Sequence, residues 1–194
     1  TGYTFTGWTV SGYEETARHG NSSNEVTSTI ASTSTLIKST YFKNLRKTSG
    51  IVTLTANWSA NTYTINYDLN NGTHGSSHPT SATFDNVVTI DNPTREGYTF
   101  AGWTITSGLN TSTAKHGTTN STVTSPIENS STKIMSKYFK NLTTSGSVTL
   151  TANWAVGMYT LTLDGDGIIV DPAYLSVVYD DTYDGLPNLV REGY

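Results

Sequence analysis

The sequence predicts an α+β fold dominated by β-structure, built from tandem copies of one unit, each a small, mostly antiparallel sheet with one short helix. Three observations predict it. The chain repeats itself with a period of about 96 residues. It holds 12 Tyr among its 194 residues and is dominated by Thr and Ser, and Thr and Tyr favour half-buried pleated surfaces. Apolar and polar residues alternate in several runs, as they do on a strand with one covered face.

The period is carried by matched strings. Gly2-Tyr3-Thr4-Phe5-Thr6-Gly7-Trp8 returns as Gly97-Tyr98-Thr99-Phe100-Ala101-Gly102-Trp103. Arg18-His19-Gly20 returns as Lys115-His116-Gly117, and Tyr41-Phe42-Lys43-Asn44-Leu45 as Tyr138-Phe139-Lys140-Asn141-Leu142. Val52 to Trp58 returns as Val148 to Trp154, and Arg95-Glu96-Gly97-Tyr98 as Arg191-Glu192-Gly193-Tyr194. These matches divide the chain into 1–60, the C-terminal part of a repeat; 61–156, a complete repeat; and 157–194, the N-terminal part of a further one. Linkers this short, Ser59-Ala60-Asn61-Thr62 and Ala155-Val156-Gly157-Met158, predict a stiff or semi-stiff array.

Within the complete repeat the elements follow in order. Tyr63, Ile65, Tyr67 and Leu69 alternate with polar residues and end at Asn70-Asn71-Gly72, predicting a strand over 62–70 and a turn. A second strand is expected over 81–91, closed by Pro93, which has no N–H for a ladder. A third covers 97–106, where the alternation slips at Gly102 as at a bulge. The Thr/Ser/Asn/Gly-rich stretch 107–130 predicts a long loop. Ile134, Tyr138, Phe139 and Leu142 share one face of a short helix, with Ser131 or Thr132 as its cap and Gly146 beyond its end. Ile37, Tyr41, Phe42 and Leu45 repeat that spacing. A fourth strand covers 147–154.

Composition excludes several functions. The net charge of −4 is too small to hold a chain open, and aromatics at 11% supply a core. Without Cys there are no disulfides, zinc-thiolate or iron–sulfur sites and no thiol catalysis. A pI near 5.4 argues against a nucleic-acid partner. No apolar run reaches the roughly 18 residues of a membrane span, and no signal peptide opens the chain, so an address label is expected outside this window.

The candidate sites divide into chemical and structural readings. His19 and His116 each precede a Gly, which predicts a turn. His74 and His78 have a metal-ligand spacing, but Gly75 and Pro79 oppose the helix that would converge them. Asp164-Gly165-Asp166-Gly167 has calcium-loop composition, yet it stands where the preceding copy has Asp68-Leu69-Asn70-Asn71-Gly72, a hairpin turn. Asp171, Asp180, Asp181 and Asp184 make that last stretch acidic. Trp8, Trp58, Trp103 and Trp154 could stack on sugars, but the phase of Trp58 and Trp154 predicts core packing. Lys43-Asn44 and Lys140-Asn141 raise a Lys–Asn isopeptide bond, for which no partner is legible. No catalytic, cofactor or metal residue is therefore assigned, and no enzyme activity is expected.

Taken together, Arg-Glu-Gly-Tyr-Thr-Phe-Ala-Gly-Trp (95–103), Val-Thr-Leu-Thr-Ala-Asn-Trp (148–154) and Tyr-Thr-Ile-Asn-Tyr-Asp-Leu-Asn-Asn-Gly (63–72) resemble the Listeria–Bacteroides repeat, the internalin-type B repeat. Val178-Tyr179-Asp180 and Arg191 to Tyr194 resemble its second strand and the approach to its Gly-Tyr motif. The resemblance implies a β-grasp-like module, found in tandem in secreted and surface-anchored bacterial proteins as stalk or adhesive surface. The chain departs from the family between Trp103 and Val148, which is longer than the usual spacing by about twenty residues, and it has no Leu-Pro-x-Thr-Gly sorting motif.

The expected role is thus a non-catalytic stalk, adhesin or fibre module at a bacterial surface or in secretion. The alternative is a ligand- or glycan-binding module using loop 107–130 or exposed aromatics. Expected partners are neighbouring repeats and a host protein or glycan, with neither nucleic acid nor membrane insertion. Because the chain opens and stops inside repeats, it is either a window on a longer array or a unit that completes itself head to tail with other copies.

Overall fold

A computed structural model describes every residue except 32–35, 130, 131, 184, 192 and 194. The helix cap at Ser131, Asp184 of the acidic stretch, and Glu192 and Tyr194 of the last motif lie outside the described residues. The chain divides into two compact units, Thr1–Thr62 with Thr83–Asp85, and Tyr63–Ala82 with Asn86–Tyr194.

The first unit has a long two-stranded ladder and a small sheet. Strands β1 (Tyr3–Ser11) and β5 (Thr53–Ala60) pair antiparallel. Strands β2 (Arg18–Gly20), β3 (Ser28–Thr29) and β4 (Tyr41–Lys43) form a sheet in the order β3-β2-β4. Val10, Ala17, Ile30 and Ile37 are its buried core, with Trp8, Phe42 and Leu54 half-buried against them.

The second unit repeats this plan and extends it. Strands β6 (Thr62–Asp68), β7 (Ser81–Thr83), β9 (Tyr98–Ser107) and β13 (Gly146–Val156) make a sheet of order β7-β6-β13-β9. In it β13 runs antiparallel to β9 and parallel to β6. Strands β8 (Val87–Thr89), β10 (Lys115–Gly117), β11 (Val123–Pro126) and β12 (Tyr138–Lys140) form a second sheet, β11-β10-β12-β8. Strands β14 (Met158–Thr162) and β15 (Tyr174–Val178) pair as a separate two-stranded sheet. Tyr63, Ile65, Trp103, Phe139, Leu142 and Leu150 dominate the core, each at most 1% exposed.

The β-rich class holds, and the bulge falls where the alternation slipped. Register shifts lie between Phe5 and Gly7 in the first ladder and between Ala152 and Trp154 in the second, opposite Gly102. Gly102 has φ 99°, and a Cβ there would lie 3.0 Å from the Ile134 carbonyl oxygen, so both dihedral and space call for glycine. The bulge turns the backbone of the next residue outward: Trp103 and Ile134 exchange hydrogen bonds of 2.8 and 2.7 Å, as do Trp8 and Ile37 at 2.7 and 2.9 Å.

That exchange corrects the helix. No helix occurs among the described residues, and the β-grasp arrangement, with its helix across the sheet, is not found. Ile134 makes a single bridge to Trp103; Tyr138–Lys140 is a strand between β10 and β8; Asn141, at φ 55°, turns the chain so that Leu142 re-enters the core. Helical spacing of the four apolar residues arose from these separate insertions. Ser and Thr near them favour bonding the backbone locally over continuing a helix. Ser136 does so, its Oγ accepting from the Gly117 and Tyr138 N–H groups at 3.2 and 3.1 Å, and Ser39 repeats the device at Gly20 and Tyr41. Two smaller corrections follow. The strand expected over 81–91 is broken at Asp85 (φ 70°) into β7 and β8, and the loop 107–130 contains β10 and β11.

Candidate functional site

The most specific recurring arrangement is a clasp over the Gly-Tyr motif. In the first unit Gly2, at φ 77°, lies beneath the Phe84 ring, which an added Cβ would meet at 2.5 Å. Asn61 N–H donates to the Gly2 carbonyl at 2.9 Å, and Phe84 N–H to the Asn61 carbonyl at 2.8 Å. In the second unit Gly97, at φ 72°, lies beneath Tyr179 in the same way, an added Cβ falling 2.1 Å from its ring. Gly157 N–H donates to the Gly97 carbonyl at 2.7 Å, and Tyr179 N–H to the Gly157 carbonyl at 2.9 Å.

Each tyrosine of the motif meets its covering ring edge-on, Tyr3 on Phe84 at 5.6 Å and Tyr98 on Tyr179 at 5.9 Å. The Tyr3 hydroxyl also donates to the Asp85 carboxylate, which raises the pKa of that phenol. Tyr179 is likewise raised, first by the charge of Glu96. The residue after each covering ring, Asp85 or Asp180, has a left-handed backbone, at φ 70° and 61°. A motif strand, a short linker and the turn after a β7-type strand are thus tied by two backbone hydrogen bonds and a ring. Sequence reasoning missed the covering residues. Their signal was present in Phe84-Asp85 and Tyr179-Asp180, an aromatic-Asp pair standing at the repeat spacing.

The sites weighed from sequence fall out as follows. His19 and His116 pair across their sheets with Phe42 and Phe139. The glycines after them serve close approach rather than positive φ, since a Cβ on Gly20 or Gly117 would lie 1.8 or 1.9 Å from a carbonyl oxygen of the facing chain. Asn44 and Asn141, after Lys43 and Lys140, take left-handed turns at φ 52° and 55°. Asp164-Gly165-Asp166 forms an Asx turn, with Asp166 N–H on Asp164 Oδ1 at 2.9 Å, matching Asn70 N–H on Asp68 Oδ1 at 3.1 Å. Among the described residues no three His, Asp or Glu side chains converge as metal ligands.

His74 and His78 stack with ring centroids 4.2 Å apart, and Tyr67 meets His74 edge-on at 5.2 Å. Desolvation and then the neighbouring His78 pull the His74 pKa below the usual imidazole range. A base depressed in the folded state takes up its proton more readily when unfolded, so stability is present above the unfolded pKa near 6.5 and falls as pH drops through it. Melting curves between pH 7.5 and 5 are expected to show a small loss on acidification that His74→Asn reduces; an unchanged slope would remove the coupling.

The four tryptophans separate. Trp103 is 1% exposed, while Trp154 is half-buried and donates its indole N–H to the Leu69 carbonyl at 2.9 Å. Trp58 is 60% exposed, which overturns its expected burial. On one side the two copies agree: Phe5 meets Trp58 at 5.5 Å and 70°, Phe100 meets Trp154 at 5.7 Å and 71°. What differs is the cover, since Trp154 has the Leu69–Gly72 turn on its other face. A separate cavity of about 760 Å³ opens beside β10 and β11, lined by His116, Ser125, Glu128, Lys133, Lys137 and Tyr138 among others.

With this geometry in place, comparison with known proteins finds one family. The model of the Listeria-Bacteroides repeat domain matches residues 63–137. No curated protein and no solved structure matched the chain.

Proposed function

From the premise that residues 63–137 form a Listeria-Bacteroides repeat, we infer that this chain is a non-catalytic structural module of a bacterial surface or secreted protein, acting as stalk or adhesive spacer. The clasp carries this reading. A glycine that any side chain would displace, an aromatic lid and two backbone hydrogen bonds recur in both units, and what they hold together within each unit is a motif strand, a short linker segment and an aromatic turn. Such repetition serves mechanical continuity, whereas an active site is a single constellation of polar groups. Threonines on exposed strand positions, such as Thr53, Thr55 and Thr64, keep β propensity and hydrate the faces without charge that salt would screen.

Antibodies raised against this segment are expected to label intact cells of the source bacterium, or its culture medium, and externally added protease is expected to remove the cell-bound signal. Labelling that requires lysis would overturn the placement.

The cavity beside β10 and β11 supports a second reading, a glycan- or ligand-binding role for the inserted region. Lys133, Lys137, Glu128 and Tyr138 offer polar groups and a ring face around an apolar floor. Glycan-array binding lost on Tyr138→Ala would favour it; an array without signal would exclude it.

A further inference from the structure

We propose that the parallel pair β6 and β13 is a force-bearing clamp, loaded in shear when tension passes along the chain, an inference that rests on the stalk reading. Strand β6 takes up the chain at Tyr63, the start of the second unit, and β13 hands it on after Val156. The two strands lie side by side and run in the same direction over six residue pairs, from Gly146 opposite Tyr63 to Thr151 opposite Asp68. A pull on the chain ahead of β6 and an opposite pull beyond β13 therefore drag the strands lengthwise past each other. The bonds of a parallel ladder are evenly spaced, so all of them lie across that motion and bear the load together. In a hairpin pulled at its two open ends, the same tension falls on the terminal bonds alone and the ladder opens pair by pair.

The surroundings of the pair suit it to that load. Both strands are interior to the sheet β7-β6-β13-β9, so neither can peel away from the other without also straining the bonds to its second neighbour. The side chains beside the ladder are closed to water: Tyr63 and Ile65 are buried on β6, and Val148 and Leu150 on β13. A backbone group that loses its partner in such a place finds no water to replace it and is costly to leave unbonded. Small slips are thereby driven back before they spread.

Two side chains lengthen the clamp beyond its last backbone pair. Strand β6 ends at Asp68, and the turn after it is tied to the continuing β13. Asn70 donates its side-chain amide to the Ala152 carbonyl at 2.8 Å, and Trp154 donates its indole N–H to the Leu69 carbonyl at 2.9 Å. Both bonds join the two loaded strands, so sliding strains them together with the ladder. Both also lie at the end remote from Tyr63 and Gly146, where unzipping would begin. Their mechanical effect therefore depends on the direction of pull, whereas their effect on stability does not.

The chain has no cysteine, so handles for single-molecule pulling can be placed one pair at a time on the full 194 residues. Thr64→Cys with Val156→Cys loads β6 and β13 at opposite ends; Thr64→Cys with Ser145→Cys loads them at the same end. All three side chains are exposed. At one loading rate the first pair is expected to break at a force at least about twofold above the second, because forced unfolding reads the barrier and not the equilibrium stability. Asn70→Asp keeps a residue that tolerates the left-handed backbone at φ 45° and loses the amide donor. Trp154→Phe keeps a ring and loses the indole N–H. Each is expected to lower the force on the first axis and leave the second nearly unchanged. Equal forces along the two axes, or a weaker first axis, would overturn the clamp. So would variants that lower both forces by the same fraction, as a plain loss of stability does. Surface labelling together with equal forces would leave the stalk reading standing without the clamp, and labelling that requires lysis would remove the stalk reading whatever the forces.

Discussion

Trp103→Ala is expected to destabilise the second unit by about 3–5 kcal/mol, the range for removing a fully buried large aromatic. The same change at Trp8 is expected to cost the first unit only about 1–2 kcal/mol. The two residues occupy the same place after the bulge and exchange the same pair of backbone hydrogen bonds, with Ile134 and Ile37. Those bonds survive the substitution, so the difference isolates side-chain burial. Trp103 is 1% exposed, touches Phe100 edge-on at 5.2 Å and lies 5.8 Å from the Tyr67 ring. Trp8 keeps the equivalent contact with Phe5 at 5.1 Å but is half-buried. Residue-resolved hydrogen exchange reads each unit separately. Equal losses at the two sites would mean that the first unit's core is as closed as the second's, against the exposure of its β5 face.

The features that were legible in the sequence are those set by period and phase. Tyr63, Ile65 and Tyr67 alternate because one face of β6 is covered, and Gly102 interrupts the alternation because a bulge puts two residues opposite one. The misread stretch is instructive for the opposite reason. Ile134, Phe139 and Leu142 are buried through three different local geometries, a single bridge, a three-residue strand and a left-handed turn, and together they imitate one helical face. Strands of three residues hold too few alternations to declare a period. The clasp escaped because it joins residues some eighty positions apart, Gly2 with Phe84 and Gly97 with Tyr179, through ring stacking on backbone. Repeat equivalence predicted Trp58 and Trp154 alike, and it failed there because cover comes from another strand and not from the tryptophan's own neighbours.

Gly108→Ala is expected to cost about 3 kcal/mol or more, while Gly146→Ala costs about 1 kcal/mol. Both glycines have nearly the same left-handed backbone, at φ 75° and 77°. Around Gly146 an added Cβ meets nothing within 4 Å, so only the intrinsic penalty of an L-residue applies. Around Gly108 it would fall 1.9 Å from the Ser147 carbonyl oxygen and 3.0 Å from the Val148 Cα. That oxygen belongs to β13, which is held on both sides by β6 and β9, so relief requires moving a paired strand. Asparagine separates the two causes, because it tolerates the left-handed region but carries a Cβ. Gly146→Asn should recover most of the loss in urea unfolding and Gly108→Asn should recover almost none. The same constraint stands in the first unit, where a Cβ on Gly12 would lie 2.4 Å from the Ile51 carbonyl oxygen of a chain segment leading into β5. Because β5 is paired, among the described residues, with β1 alone, that segment has more freedom to yield, and Gly12→Ala should fall between the two. A loss at Gly12 as large as that at Gly108 would show that the segment leading into β5 is held as firmly as β13.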